Sequence, residues 1–253
     1  MKKITLLFLA ICASFTINAQ TADEILSTYF ENIGGLENLK KVEGIKMTAS
    51  INQGMEIPLE IVQLKDGKQY VKISIQGKEL MQGVFDGETL WQHNFMTMKA
   101  EKSDAEATAN LKLDANDFPD SFIDYKEKGY TVEYLGKETI DGAETFKIKL
   151  TKEPITIDGK KEDSVSFYFF DTENYVPIVV HSEIKSGQAK GKMSESKLSD
   201  YQEVDGIYFP FSMTQGLKGQ PGQSITITKI ELNPTIEDSA FEFPEEITTE
   251  EKK

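Results

Sequence analysis

The sequence predicts a mainly β protein in which one large, strongly curved antiparallel sheet of about eleven strands takes up most of the chain. Asp-Gly occurs five times, and most copies lie between runs in which apolar and polar residues alternate. Asp-Gly favours the type I′ turn of a tight hairpin, because both central residues need a positive φ. Only the start of the chain and one internal stretch have helical patterns. A curved sheet has a concave face, and a ligand can be held there.

The N-terminal segment predicts export. A Met-Lys-Lys start is followed by an apolar stretch, residues 4–15, that is too short to span a bilayer, and Ala19 ends a plausible cleavage site. We therefore expect a cleaved signal peptide over residues 1–19 and a periplasmic product in a two-membraned bacterium; a retained anchor is the alternative. Cys12, the only cysteine, lies within the apolar stretch, so we interpret it as a small hydrophobe and not as a lipid attachment site.

The composition limits the choice of partner. The chain has 28 basic and 42 acidic residues and a net charge of −14, which becomes −16 when Lys2 and Lys3 are removed. Such a charge disfavours nucleic acid and electrostatic docking on membranes. Every basic residue is lysine, so the bidentate recognition of carboxylate or phosphate by arginine is absent. We expect a ligand to be held by its apolar part. Nothing after residue 20 is long and apolar enough to be a membrane helix.

An amphipathic helix follows the predicted cleavage site. Thr21 and Glu24 have the spacing of a capping box, and apolar residues recur at helical spacing from Ala22 to Ile33. Gly34 and Gly35 end this helix, and a short second turn covers residues 36–42. We expect the helix to plug or flank the barrel that the sheet forms.

The strands come in two sets with an insertion between them. The first set covers residues 45–51, 55–64, 70–76, 80–85 and 89–95, and the second covers 130–134, 146–150, 164–170, 175–184, 193–201, 207–215 and 224–232. The insertion, residues 101–129, carries a second capping box at Ser103–Glu106 and a further helix after Pro119. It is either a second structural layer or a cover over the concave face. We assign residues 20–244 to one domain and residues 245–253 to a disordered tail.

No catalytic or metal-binding pattern emerges. His93 and His181 are far apart in sequence, no Gly-x-Ser-x-Gly is present, and the acidic run at residues 114–120 lacks the spacing of a calcium loop. We interpret that run as carboxylates that favour a helix N-terminus. The sequence therefore predicts no enzyme, no cofactor and no metal.

Apolar residues remain as candidates for a binding surface. Methionine adapts to irregular space, which suits acyl chains, although the same residues also build ordinary cores. The residues predicted to line a ligand cavity are Met47, Ile51, Met55, Ile57, Val71, Ile73, Phe85, Trp91, Phe95, Phe122, Phe146, Phe167 and Phe169.

Several segments together resemble a known family. They are the helix Ala22–Gly35, the turn Val204–Pro210, and the closing segments Ile230–Pro234 and Phe241–Pro244. With the long meander and its helical insertion, they resemble the LolA-like periplasmic lipoprotein-sorting proteins over essentially the whole mature chain. The resemblance implies an unclosed barrel around an apolar cavity, with helices as plug and lid. The well-known carrier closes its lid with an arginine, and this chain has none.

The resemblance also implies a function. We expect a periplasmic carrier that binds lipid or the acyl chains of a lipoprotein, with envelope proteins as donor and acceptor. One alternative is a sensor or interaction module of the same fold that does not transport, and another is an enzyme of unfamiliar type. A wide apolar patch outside the sheet would favour the sensor, and carboxylates gathered around a buried histidine would favour the enzyme.

Overall fold

One antiparallel sheet dominates the computed structural model, which describes residues 20–52 and 54–244. The predicted signal peptide and disordered tail lie outside these residues. The described part contains thirteen strands: β1 (Gly44–Asn52), β2 (Glu56–Leu64), β3 (Gln69–Ile75), β4 (Lys78–Phe85), β5 (Leu90–His93), β6 (Ala100–Lys102), β7 (Thr131–Ile140), β8 (Ala143–Ile157), β9 (Lys160–Asp171), β10 (Pro177–Glu183), β11 (Met193–Val204), β12 (Ile207–Leu217) and β13 (Gln223–Leu232).

The sheet is a meander in two halves. Its order is β6-β5-β4-β3-β2-β1-β13-β12-β11-β10-β9-β8-β7, so the first and last strands pair at the centre and β6 and β7 form the edges. Ile45 lies opposite Leu232 at one end of the central pair, and Ile51 lies opposite Ile225 at the other. The sheet is not closed. The prediction of a single, unclosed antiparallel sheet is confirmed.

Three of the five Asp-Gly pairs form the predicted turn. In the pairs that begin at Asp141, Asp158 and Asp205, both residues have positive φ, with the aspartates at 50°, 53° and 49°. Asp66 and Asp86 work differently, because their side chains accept hydrogen bonds from nearby backbone N–H groups. Asp-Gly therefore marks all five turns but fixes the type I′ geometry in three.

Within the described residues, three α-helices accompany the sheet: α1 (Ala22–Asn32), α2 (Leu36–Leu39) and α3 (Ala105–Asp114). The capping box of α1 is confirmed, since Thr21 Oγ1 accepts from the Glu24 N–H at 3.2 Å and Glu24 Oε2 accepts from the Thr21 N–H at 2.8 Å. The capping box predicted at Ser103 is wrong, because Asp104 caps α3.

The helix predicted after Pro119 is also absent. A 3₁₀ turn at Ala115–Asp117 leads into consecutive turns over residues 121–129. Asp124 has a φ of 49°, which a right-handed helix does not allow.

The main core forms where α1 packs against the sheet. Four residues of α1 are buried, and they share one cluster with Ile45 and Leu59 from the first half of the sheet and Phe146 and Ile148 from the second. Strands far apart in the sheet thus meet the same helix, so the sheet wraps around it. We call the face that carries this cluster the inner face.

A second core lies on the outer face. Val62, Tyr70, Val84 and Trp91 pack there against Phe241 of the C-terminal segment. Trp91 Nε1 donates to the Phe241 carbonyl at 2.9 Å, which satisfies the indole N–H within this cluster. The segment after β13 therefore covers the outer side of the first half of the sheet.

Candidate functional site

An apolar surface lies on the inner face at the margin of the main core, against which several of its residues pack. Register places Met47 opposite Ile61 and Ile61 opposite Val71, and it places Ile51 opposite both Ile57 and Ile225. Directly opposed residues share a face of the sheet. All of these side chains are only partly buried. We define the inner trough as Met47, Ile51, Ile57, Ile61, Val71, Ile73, Met213 and Ile225.

Helix α1 closes one end of the sheet. The Ile33 carbonyl accepts from the Tyr208 N–H at 2.9 Å, and the Asn32 side chain donates to the Asn174 carbonyl at 2.8 Å. Both partners lie at turns of the same end, which we call the plug end. The turns after β1, β3, β5, β8, β10 and β12 lie at the opposite end, which we call the rim. Ile51, Ile57 and Ile225 lie on the rim side of the trough.

Helix α3 bridges the two halves of the sheet, because it contacts β5, next to one edge strand, and β8, next to the other. Hydrogen bonds attach it to the β8–β9 hairpin. Asn110 both donates to the Thr156 carbonyl at 2.7 Å and accepts from the Thr156 N–H at 2.9 Å. Glu106 accepts from the N–H groups of Asp158 and Gly159, both at 2.8 Å. No residue of α3 is fully buried. Polar bonds therefore hold this helix more than apolar packing does.

The rest of the insertion is tied to α1. The Tyr29 hydroxyl donates to Asp120 Oδ2 at 2.7 Å, and Asp120 Oδ1 accepts from the Phe122 N–H at 2.7 Å. Burial raises the pKa of Asp120, although these two hydrogen bonds act in the opposite direction. Burial also raises the pKa of Tyr29, and the neighbouring Asp120 adds to this effect.

Three exposed contacts at two carboxylates reinforce the attachment of the insertion to the N-terminal helices. Lys126 Nζ lies 2.7 Å from Asp23 Oδ2, and the Tyr125 hydroxyl donates to the same carboxylate. Lys40 Nζ lies 2.7 Å from Asp124 Oδ1. Exposed ion pairs contribute little individually, so the part-buried bond between Tyr29 and Asp120 is the more specific connection.

The acidic run at residues 114–120 pairs with lysines. Lys152 Nζ lies 2.8 Å from Asp114 and also contacts Asp117, and Lys128 lies 3.6 Å from Asp117. Burial lowers the pKa of Lys152, but the two carboxylates outweigh this and the net shift is upward. Burial is the larger effect at Lys128, whose pKa is lowered. A three-residue 3₁₀ turn begins within this run, but no α-helix does, and Asp114 makes no capping hydrogen bond. The interpretation of the run as carboxylates that favour a helix N-terminus is therefore wrong.

Two cavities lie beside the insertion. One, of about 270 Å³, has a mainly polar wall that includes Gln63, Gln69, Asp117 and Asp120. The other, of about 200 Å³, lies between α1 and the turn joining β11 and β12, and its wall is more apolar. Phe122 is the one predicted lining residue that borders either cavity. The inner trough is an open surface apart from both.

The structure separates the predicted lining residues into groups. Met47, Ile51, Ile57, Val71 and Ile73 lie together in the inner trough, whereas Phe122 and Phe146 are buried in the main core. Phe85 is also buried, and Met55 and Phe95 are exposed at hairpin turns.

Three predicted residues belong to the outer face. Trp91 lies in the second core, and Phe167 and Phe169 lie opposite Lys149 and Lys147. On β9, Phe167 and Phe169 alternate with Tyr168 and Phe170, and the latter two side chains point to the inner face. The assignment of Trp91, Phe167 and Phe169 to the cavity lining is therefore wrong. The sequence is apolar on both faces here, so alternation could not reveal the direction. The prediction also missed Ile61, Met213 and Ile225, which alternation on β2, β12 and β13 could have identified.

His181 is the buried histidine and lies on the outer face. Its Nε2 atom is 2.9 Å from Glu195 Oε2, and its ring packs edge-on against Phe169. This pair is separate from the inner trough and the two cavities. Among residues 20–52 and 54–244, no group of three or more His, Cys, Asp or Glu side chains is arranged to hold a metal ion.

No protein-family model and no curated protein sequence matches this chain. Solved structures do match. A DUF1329 family protein from Desulfovibrio piger is 16% identical and covers 86% of this chain and 97% of its own, with a TM-score of 0.51.

Two further structures match to the same degree. A LolA superfamily protein from Nitrosomonas europaea is 15% identical and covers 88% of this chain and 98% of its own, with a TM-score of 0.51. A domain from Vibrio parahaemolyticus, described as an outer membrane lipoprotein-sorting protein, is 12% identical and covers 86% and 94%, also at 0.51. The chain thus has a LolA-like fold. No helix in its described part has the length and apolar character needed to cross a membrane.

Proposed function

We propose that the protein is a periplasmic carrier that binds lipid or the acyl chains of a lipoprotein in the inner trough and performs no chemistry on them. The inner trough carries the proposal, because its aligned apolar side chains stay partly exposed on a concave face. The LolA-like fold and the predicted signal peptide support the location and the class of cargo. Residues 20–244 are the functional domain, and envelope proteins are its donor and acceptor.

The chemistry of the trough suits a hydrocarbon tail. Burying an acyl chain contributes about 0.8 kcal/mol per methylene. Isoleucine, valine and methionine supply contact without polar atoms that would need partners, and methionine adapts to chains of different shape. The absence of arginine from the chain agrees with recognition through the tail. The predicted lining residues in the trough, Met47, Ile51, Ile57, Val71 and Ile73, are proposed as contacts to the chain.

The polar attachment of α3 to the β8–β9 hairpin suits the entry and release of an acyl chain. A carrier must release its cargo, so its cover has to open at a modest cost. Helix α3 is held to β8 and β9 by polar bonds and has no fully buried side chain. We propose that α3 is the cover and that it opens while the core around α1 stays intact.

Displacement of a fluorescent fatty acid tests the proposal. Val71→Gln places an amide in the trough, and we expect affinity to fall about tenfold through the lost burial of the tail. Ser74→Gln, on the other face of the same strand, is the matched control and should bind like the unmodified protein. Native mass spectrometry after gentle purification should show co-purified lipid. A protein that is empty and does not bind the probe would contradict the proposal.

A further inference from the structure

Large apolar side chains are exposed at one end of the molecule. In the described part, the exposed large apolar residues are Met55, Phe95, Met96, Met98, Leu135 and Tyr208. The first four lie on two hairpin turns of the rim, after β1 and after β5. Met96 is 86% exposed, Met55 is 58% exposed and Phe95 is 56% exposed. Such a concentration is typical of an interaction surface.

The turn after β5 has a defined conformation. Asn94 Oδ1 accepts from the N–H groups of Met96 and Thr97 at 2.9 and 3.1 Å. The Asn94 carbonyl also accepts from the Met98 N–H at 2.8 Å, and the Asn94 N–H donates to the Lys99 carbonyl at 2.8 Å. These bonds fix the backbone, so the turn presents Phe95 and Met96 outward without a further cost of ordering.

The charge of the rim is opposite to that of the molecule. The described residues in its turns include five lysines and one carboxylate, Asp158, which gives a net charge of +4. The strand-joining turns at the plug end carry six carboxylates and two lysines, a net charge of −4. Lys185 and Lys190 pair with Glu183 and Asp158, at 2.9 and 3.6 Å. Glu162 also lies 3.7 Å from Lys185 and 3.9 Å from Lys190. The five rim lysines are completed by Lys99, which also has an interaction partner, and by Lys192 and Lys218.

We infer that the rim docks on the surface of a lipid bilayer, with Phe95, Met96 and Met55 entering the apolar layer and the exposed Lys192 and Lys218 facing lipid phosphates. Apolar side chains beside cations match the interface of a bilayer, which is apolar below and anionic above. The other end is too acidic to approach such a surface. The opposite charges of the turns at the two ends thus favour an anionic bilayer as the partner and orient the rim toward it.

The position of the rim favours a bilayer over a protein groove. Met55 is two residues from Ile57, so the exposed apolar turn leads directly into the inner trough. An acyl chain could therefore pass from a bilayer into the trough without crossing water. This step rests on the proposed function, since it requires that the trough bind an acyl chain. The chemistry of the rim itself does not depend on the cargo.

Flotation with lipid vesicles tests the inference. The full protein is mixed with vesicles of phosphatidylethanolamine and phosphatidylglycerol, or of phosphatidylcholine alone. We expect the double variant Phe95→Ser, Met96→Ser to lower partition at least about tenfold. Lys192→Glu with Lys218→Glu should lower it about tenfold on the anionic vesicles only. Leu135→Ser and Tyr208→Ser are the matched controls, since these exposed apolar residues lie away from the rim turns, and both should float normally.

The outcomes separate this inference from the proposed function. Rim variants that lose flotation but still bind the fluorescent fatty acid would support the docking surface. Rim-dependent flotation by a protein that binds no fatty acid would support docking and contradict only the carrier. The inference is overturned if the unmodified protein floats with neither composition, if it binds instead only to a protein of the envelope, or if rim variants float as well as the controls.

Discussion

Gly34 shows how closely α1 approaches the sheet at the level of single residues. Its φ is +113°, and a Cβ atom at this position would lie 2.0 Å from the Gly206 carbonyl oxygen. The contact is with backbone, so the neighbour cannot move aside as a flexible side chain would. The turn between β11 and β12 therefore requires glycine at position 34 for α1 to remain in place.

We predict that Gly34→Ala lowers the free energy of unfolding by about 3 kcal/mol or more, through the clash and the backbone conformation together. Gly35→Ala is a matched control: its φ is also positive, but nothing lies within 4 Å of the added Cβ. We expect a smaller cost of about 1 kcal/mol there. Urea unfolding measures both, and equal losses would contradict the close approach.

Asp120, which accepts a hydrogen bond from Tyr29 of α1, makes the stability of the folded protein depend on pH. Because burial raises its pKa, the folded protein holds this proton at pH values where the unfolded chain, near the ordinary value of 3.8, has released it. The contribution of Asp120 to the free energy of unfolding is therefore present at acid pH. It is lost as the pH rises through the pKa that Asp120 has in the folded protein.

We predict that Asp120→Asn, which cannot ionise, makes the free energy of unfolding less dependent on pH above 3.8. Denaturant unfolding at a series of pH values gives the slope. Asp124→Asn, an exposed position in the same segment, serves as the control. An unchanged slope in Asp120→Asn would show that this carboxyl ionises alike in both states.

At the scale of elements, the attachment of α3 is specific and local. Asn110 makes two hydrogen bonds to the backbone of Thr156, much as a neighbouring strand would. Removing both should leave the core around α1 intact, because α3 contributes no fully buried side chain.

We predict that Asn110→Ala lowers the local opening free energy of α3 by about 2 kcal/mol, roughly 1 kcal/mol per hydrogen bond. Hydrogen exchange monitored by mass spectrometry should show faster exchange in residues 105–114 and unchanged exchange in α1. Asn116→Ala provides a control within the same insertion. If α1 loses protection as well, α3 is part of the core and cannot be an independent cover.

The elements were predictable where the local pattern was strong. Alternation identified most strands, and the Thr21 capping box and the apolar stripe located α1 because both depend on residues close in sequence. The short edge strand β6 was missed, since three residues provide too little pattern. The helix expected after Pro119 failed because the segment is held by partners distant in sequence, such as Tyr29 and Asp23, which a local pattern cannot reveal.

The candidate site was predictable only in part for a related reason. Apolar composition identified the trough residues on β1, β2 and β3 except Ile61, because polar residues alternate with apolar ones there. On β9 both faces are apolar, because Phe167 and Phe169 pack on the outer face beside His181. The curvature of the whole sheet decides which of its faces is concave. The folded structure identifies the concave face, because α1 packs there against both halves of the sheet.

At the scale of the whole molecule, net charge conceals a strong polarity. Taken over the whole chain, a net charge of −14 disfavours electrostatic docking on membranes. The fold nevertheless gathers five lysines in the turns of the rim and places acidic turns at the plug end. Composition averages over the surface, whereas the alternating direction of the hairpins sorts charges to opposite ends.

The whole account depends on where an acyl chain lies, and photoaffinity labelling locates it most directly. The unmodified protein is irradiated with a diazirine fatty acid, and the labelled residues are identified by mass spectrometry. We predict label on Met47, Ile61 and Val71, with loss of that label when excess unlabelled fatty acid is present. Label that is confined to the outer face or to the plug end, or label that excess fatty acid does not displace, would contradict the inner trough as the binding site.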